Sequence, residues 1–194
     1  MELLKQRIAQ EGEVKGDSVL RVDRFLNHQI DVKLLKEIAL EFYRRFGQKE
    51  ITKVLTIESS GIAIGAFVAD AFSVPLVFAK KHQSTNLGDD VYTVPVTSFT
   101  HSRTYDVTVD KNYLRQEDSV LIVDDFLARG CALEGLVALT EKAHAHVAGI
   151  GIVIEKGFQG GGDRLRRRGY PLESLVILES LRPLVYRDEP CKAR

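Results

Sequence analysis

The stretch VLIVDDFLARGCA, Val120 to Ala132, carries an apolar run into two adjacent carboxylates and then into a short loop of small residues. A strand, a small-residue turn and a helix start leave backbone N–H groups free, and these together with the helix dipole favour an anion. Gly130 lets the backbone approach that anion closely. The loop holds neither G-K-[ST] nor G-x-G-x-x-G, so alone it is equally an ordinary strand-to-helix turn. Asp124 and Asp125 narrow the chemistry. A phosphate cradle beside two acceptors suits a phosphorylated sugar, whose hydroxyls donate to the carboxylates while a hydrated Mg²⁺ sits nearby. At a strand end the pair is expected to stay solvated until that sugar arrives.

The elements that must hold this stretch are legible as alternating apolar runs and helical patterns. SVLIVDD and AGIGIVIEK are nearly continuous apolar strands, as in a parallel sheet covered on both faces. ALEGLVALTEKAHAH between them reads as the crossover helix. That reading puts His144 and His146 two apart on a helix, where side chains diverge, which argues against a metal site. KEIALEFYRRFG, Lys36 to Gly47, spaces Ile38, Phe42 and Phe46 four apart and closes on glycine, an amphipathic helix with a stop. ITKVLTIESSG reads as a strand running into a polar turn, IAIGAFVADAFSV as a helix and PLVFAKK as a strand. VYTVPVTSF and TYDVTVD, on either side of THSR, alternate as a hairpin does. The order predicts an α/β fold with an open, mostly parallel sheet flanked by helices, whose ligands sit at the carboxyl ends of strands. ESSG at 58–61, KKHQ at 80–83, DDFLARGCA at 124–132 and EKGF at 155–158 each follow an apolar strand and are expected to line one crevice.

A length of 194 residues suits one domain with a single core. Lys plus Arg total 27 and Asp plus Glu total 27, so no global field draws the chain to nucleic acid or to an anionic membrane, and any anion site must be local. The stretch MELLKQRIAQEGEVKG lacks the apolar core of a signal peptide and no later run approaches about 18 apolar residues, so a cytoplasmic chain is expected. Cys131 and Cys191 are too few for a metal cluster or disulfide framework and suit a reducing, cytoplasmic setting. His28, His82 and His101 are scattered. The basic run RLRRRGYP, with Arg164 and Arg166 to Arg168, has no role beyond solvating a helix that the sequence reveals.

VDRFLNHQID, TIESSGIA, VFAKKHQS, LIVDDFLARGCA and GIGIVIEKGFQ together resemble the type I phosphoribosyltransferases, in order and spacing across essentially the whole chain. Within that family the resemblance is to the bacterial enzymes that use xanthine. It implies a single domain, 1–194, with a small hood from about 1–35 and 157–194. The implied reaction is transfer of ribose 5-phosphate from phosphoribosyl pyrophosphate to a ring nitrogen of xanthine, giving xanthosine 5′-monophosphate and pyrophosphate, with Mg²⁺. It implies that Asp124 and Asp125 hold the ribose hydroxyls and that Ala128, Arg129, Gly130, Cys131 and Ala132 hold the 5-phosphate. Ser59, Ser60, Gly61, Lys80 and Lys81 would face pyrophosphate; Leu20, Asn27, Phe126 and Lys156 would face xanthine. A homodimer is implied as well, although no apolar stripe marks its interface.

The loop departs from its commoner form in having alanines where hydroxyls are usual, so backbone N–H groups and the Arg129 guanidinium must carry more of the anion. Ala128 also stands where many 6-oxopurine enzymes of the family place an Asp, which leaves the general base unassigned. Use of hypoxanthine or guanine instead stays open, as does a non-catalytic regulator that senses phosphoribosyl pyrophosphate, and an unrelated nucleotide-binding domain.

Overall fold

The computed structural model describes residues 1–81, 90–98 and 103–187. His82, Gln83, His101, Cys191 and the expected hairpin link around residues 100–102 lie outside the described residues.

β7 (Ser119–Leu127) and β8 (His146–Lys156) form the middle of a sheet ordered β10-β9-β8-β7-β3-β4, completed by β3 (Lys53–Ile57), β4 (Leu76–Ala79), β9 (Leu172–Leu181) and β10 (Leu184–Tyr186). All neighbours are parallel except β10 on β9. The continuous apolar runs of the middle strands follow from cover on both faces. Leu121, Val123 and Val153 enter one core with the helices over Val32–Phe46 and Ser60–Phe72, while Val120, Ile122, Ile150 and Ile152 enter the other with the helix over Cys131–Lys142.

α2 runs Val32–Phe46 and buries Ile38, Phe42 and Phe46. It starts earlier than the apolar spacing indicates because Asp31 caps it, accepting from the Lys33 and Leu34 N–H groups at 3.0 and 3.1 Å. α3 (Ser60–Phe72) joins β3 to β4, and α4 (Cys131–Lys142) joins β7 to β8. α4 ends sooner than expected: His144 takes a positive φ of 57° and His146 opens β8, so neither histidine is helical. β5 (Val91–Ser98) and β6 (Arg103–Asp110) pair antiparallel in a separate two-stranded sheet, docked to the end of β4 through Lys80 and Thr108.

The chain's start folds against its later strands. α1 (Glu2–Glu11) is followed by a ribbon of β1 (Glu13–Lys15) and β2 (Val19–Arg21), then a π-helical turn over Asp23–Asn27. The N-terminal ammonium donates to the Leu175 carbonyl at 2.7 Å, and the Tyr186 hydroxyl donates to the Lys5 carbonyl at 3.1 Å. Among the described residues no helix is long and apolar enough to cross a membrane.

Candidate active site

Because β3, β4, β7 and β8 are parallel neighbours, residues 58–61, 80–81, 124–132 and 155–158 emerge at one edge of the sheet. The cavity at that edge is lined by two of the four segments, 124–132 and 155–158, while Lys80 lines a separate cleft. β7, however, does not stop at the acidic pair. It runs to Leu127, with Asp124 beside Ile152 and Leu127 beside Glu155 of β8. The pair therefore lies within the strand, and the expectation of solvation fails for one member: Asp124 is 5% exposed. Its Oδ1 accepts the Asp125 N–H at 3.0 Å, and Asp125 Oδ1 accepts the Phe126 N–H at 2.8 Å. Burial first, then the charge of Asp125, pushes the Asp124 carboxyl well above the usual carboxylate range, against a smaller pull from Lys81.

The 58–61 loop packs directly on this carboxylate. A β-carbon on Gly61 would lie 2.0 Å from Thr56 Oγ1 and 3.2 Å from Asp124 Oδ1, so only glycine lets α3 begin here. Thr56 Oγ1 is buried and has no hydrogen-bond partner among the described residues. Ser59 precedes α3 without a side-chain cap, and its carbonyl accepts the Ile62 N–H at 3.2 Å. Glu58 accepts the Lys81 backbone N–H at 2.7 Å, which ties the ends of β3 and β4 together.

Beyond β7, a cavity of about 520 Å³ is lined by Phe126, Ala128, Arg129, Gly130, Cys131 and Ala132, with Lys156 and Tyr105. Gly130 sits at φ 84°, a left-handed turn that aims α4 at the cavity, and no side chain caps that helix. Lys156 Nζ lies 5.4 Å from the Phe126 ring centroid and donates to the Ser18 carbonyl of the ribbon at 2.9 Å. Burial lowers the Lys156 pKa, partly offset by Asp125.

Several expected site residues stand apart from this cavity. Leu20 is buried in the core behind β2, and its neighbours Ser18 and Val19 line the cavity instead. Asn27 closes the π-helical turn with Oδ1 buried and without a partner among the described residues. Lys80 lines a second cleft, beside Phe78, Thr108 and Tyr113, whereas the charge of its neighbour Lys81 is felt at Asp124. Tyr105 escaped the sequence reading. It lines the cavity with the loop, and its hydroxyl pKa is raised by burial first, then by the charges of Asp124 and Cys131.

A family model for the phosphoribosyl transferase domain matches residues 21–175. A xanthine phosphoribosyltransferase of Clostridium novyi is 56% identical over 94% of this chain and 96% of its own length. The enzyme of that name from Bifidobacterium longum is 54% identical over 94% of the chain and 95% of its own. Among solved structures, the APRTase of Giardia lamblia complexed with 9-deazaadenine superposes with a TM-score of 0.76, covering 90% of this chain and 97% of that one at 24% identity. The adenine phosphoribosyl transferase of Trypanosoma brucei gives a TM-score of 0.75 at 19% identity, covering 90% and 79%. At such identity the two structures share the fold alone. A sheet whose parallel strands open on a small-residue loop and an acidic pair, matched over most of its length by close relatives, settles the lineage: the chain belongs to the phosphoribosyltransferase family, among the xanthine phosphoribosyltransferases.

Proposed function

We propose that this enzyme joins xanthine to the ribose 5-phosphate of phosphoribosyl pyrophosphate, releasing xanthosine 5′-monophosphate and pyrophosphate. The observation that carries the reading is the buried Asp124 carboxylate, set between an uncapped helix start on each side and without an ion pair among the described residues. A ribose supplies what it lacks: hydroxyl donors for Asp124 and Asp125. The 5-phosphate is held by N–H groups of Ala128 to Ala132, and pyrophosphate by Ser59, Ser60 and Gly61 with Lys81, while Lys80 steadies the strand end through its bridge to Thr108.

Among the described residues no cluster of three or more His, Cys, Asp or Glu side chains is placed to hold a metal. Asp124 and Asp125 offer hard oxygen donors, which fits a hydrated Mg²⁺ carried in on the diphosphate. When bound, the ion offsets charge developing on departing pyrophosphate. The protein's share is to hold ribose and purine in line and to stabilise the leaving group with preformed dipoles.

Xanthine is held by the hood, which we draw from about 1–35 and 157 onward. Phe126 offers a face for stacking. The Lys156 ammonium has donors only, so it suits a 6-oxo group and rejects the 6-amino group of adenine. Asn27 reads the 2-oxo side, with Leu20 anchoring the ribbon behind it. We further propose a homodimer, since the 13 residues of α3 carry one charge, Asp70, and leave Ile62, Phe67 and Phe72 only half-buried. We also place the enzyme in the cytoplasm, a reducing setting that suits the free Cys131 thiol in its loop. The test is to supply Mg²⁺, phosphoribosyl pyrophosphate and each of xanthine, guanine, hypoxanthine and adenine, and to measure nucleotide formed. Xanthine is expected to give the highest kcat/KM; a preference for guanine would overturn the assignment of Asn27.

A further inference from the structure

The basic run at Arg164 to Arg168 does more than solvate a helix. α5 (Gly161–Arg167) lies against the back of the 128–132 loop and engages two successive carbonyls of it. The Gly161 N–H donates to the Ala128 carbonyl at 3.2 Å, and Arg164 Nη2 donates to the Arg129 carbonyl. Arg164 Nε also donates to Glu134 Oε1 at 2.9 Å, so one guanidinium bridges the loop to the first turn of α4. Contact is tight: a β-carbon on Gly161 would lie 2.3 Å from the Ala128 oxygen.

The consequence follows from peptide geometry. Cis bonds fall at Glu58–Ser59 and Arg182–Pro183, so the peptides of residues 128–131 are trans. A trans peptide points its C=O and the following N–H in opposite directions. With the carbonyls of Ala128 and Arg129 turned toward α5, the N–H groups of Arg129 and Gly130 turn away from it, toward the cavity those residues line. The alanines at 128 and 132 supply no hydroxyls, so the direction of these amides decides whether the loop attracts an anion.

We propose that α5 sets the polarity of the anion-binding loop, with Arg164 as a positioning residue for the sugar 5-phosphate. This rests on the assignment of residues 128–132 to that phosphate. Full-length Arg164→Ala and Arg164→Lys proteins test it through KM for each substrate and through binding of ribose 5-phosphate alone. Arg164→Ala is expected to raise KM for phosphoribosyl pyrophosphate and Kd for ribose 5-phosphate about tenfold, the weight of roughly one charge-assisted hydrogen bond, with KM for xanthine little changed. Arg164→Lys keeps one donor and is expected to recover part of that loss. In ¹⁵N spectra, ribose 5-phosphate should move the Arg129 and Gly130 amides in the wild type and far less in Arg164→Ala. Equal ribose 5-phosphate affinity in all three proteins, or equal losses for both substrates, would overturn the proposal. Failure of the wild type to bind ribose 5-phosphate would instead remove the phosphate assignment beneath it.

Discussion

Two carboxylates end up buried on adjacent strands of the same sheet edge, and the fold treats them in opposite ways. Glu155, on β8, is 1% exposed and compensated: Arg166 donates to both its oxygens at 2.9 and 2.6 Å, and the Ser174 hydroxyl donates as well. Asp124, on β7, is nearly as buried, yet among the described residues it accepts a backbone N–H from Asp125 and forms no ion pair. A buried charge without a partner costs stability, and a fold keeps one where something from outside completes it. Glu155 secures α5 behind the 128–132 loop through Arg166, whereas Asp124 keeps no such cation among the described residues, as suits its proposed role toward ribose hydroxyls.

The contrast breaks most sharply at Asp124 itself. Asp124→Asn should lower kcat/KM at least about a hundredfold, through loss of two charge-assisted hydrogen bonds at about 1.5 kcal/mol each, in steady-state assays. Its stability should move the other way. The folded pKa of Asp124 is raised, so its contribution is fully present below the ordinary carboxylate range and is lost as pH rises through the raised value. Above the ordinary carboxylate range the buried group therefore costs stability that an uncharged Asn does not, and the gain in Tm from Asp124→Asn should shrink as pH falls.

Glu155→Gln should do the reverse, costing about 2–3 kcal/mol and lowering Tm by about 5–10 °C, because among the described residues it leaves Arg166 only its longer ion pair to Asp163 at 3.3 Å. That cost falls short of a fully enclosed pair since the Arg166 side chain is 30% exposed. Gly61→Ala is expected to cost about 1–3 kcal/mol, by driving a methyl into Thr56 and toward Asp124, measured by denaturant unfolding. The smallest effect is a shift in pH profile. Asp125 partly restores the Lys156 pKa that burial lowers, so Asp125→Asn, besides losing the bond proposed to the ribose, should move the alkaline limb of kcat/KM to lower pH if Lys156 serves as the proposed 6-oxo donor.

Much of the frame was legible because it rests on local period. Ile38, Phe42 and Phe46 repeat on one helical face and are buried together, and VLIV and GIGIVI are apolar because both faces of the sheet are covered. What escaped depends on distant pairing. Adjacent charges read as the end of a strand, but parallel partnership with residues 152–155 carries β7 three residues past Asp124's neighbourhood to Leu127. Tyr105 reaches the cavity from a separate hairpin, and nothing within TYDVTVD says which face will line it. Likewise Arg164 and Arg166 look alike in sequence; one reaches the Arg129 carbonyl and the other Glu155, a division that the packing of α5 makes.

Thermal melting at neutral pH, with and without Mg²⁺ and phosphoribosyl pyrophosphate, puts the role of Asp124 to its most direct trial. Asp124→Asn should melt above the wild type when both are free, and the ligand should raise the wild type's Tm while leaving the variant's nearly unmoved. A free variant that melts lower, or equal protection of both proteins by the ligand, would contradict a carboxylate held in reserve for the ribose.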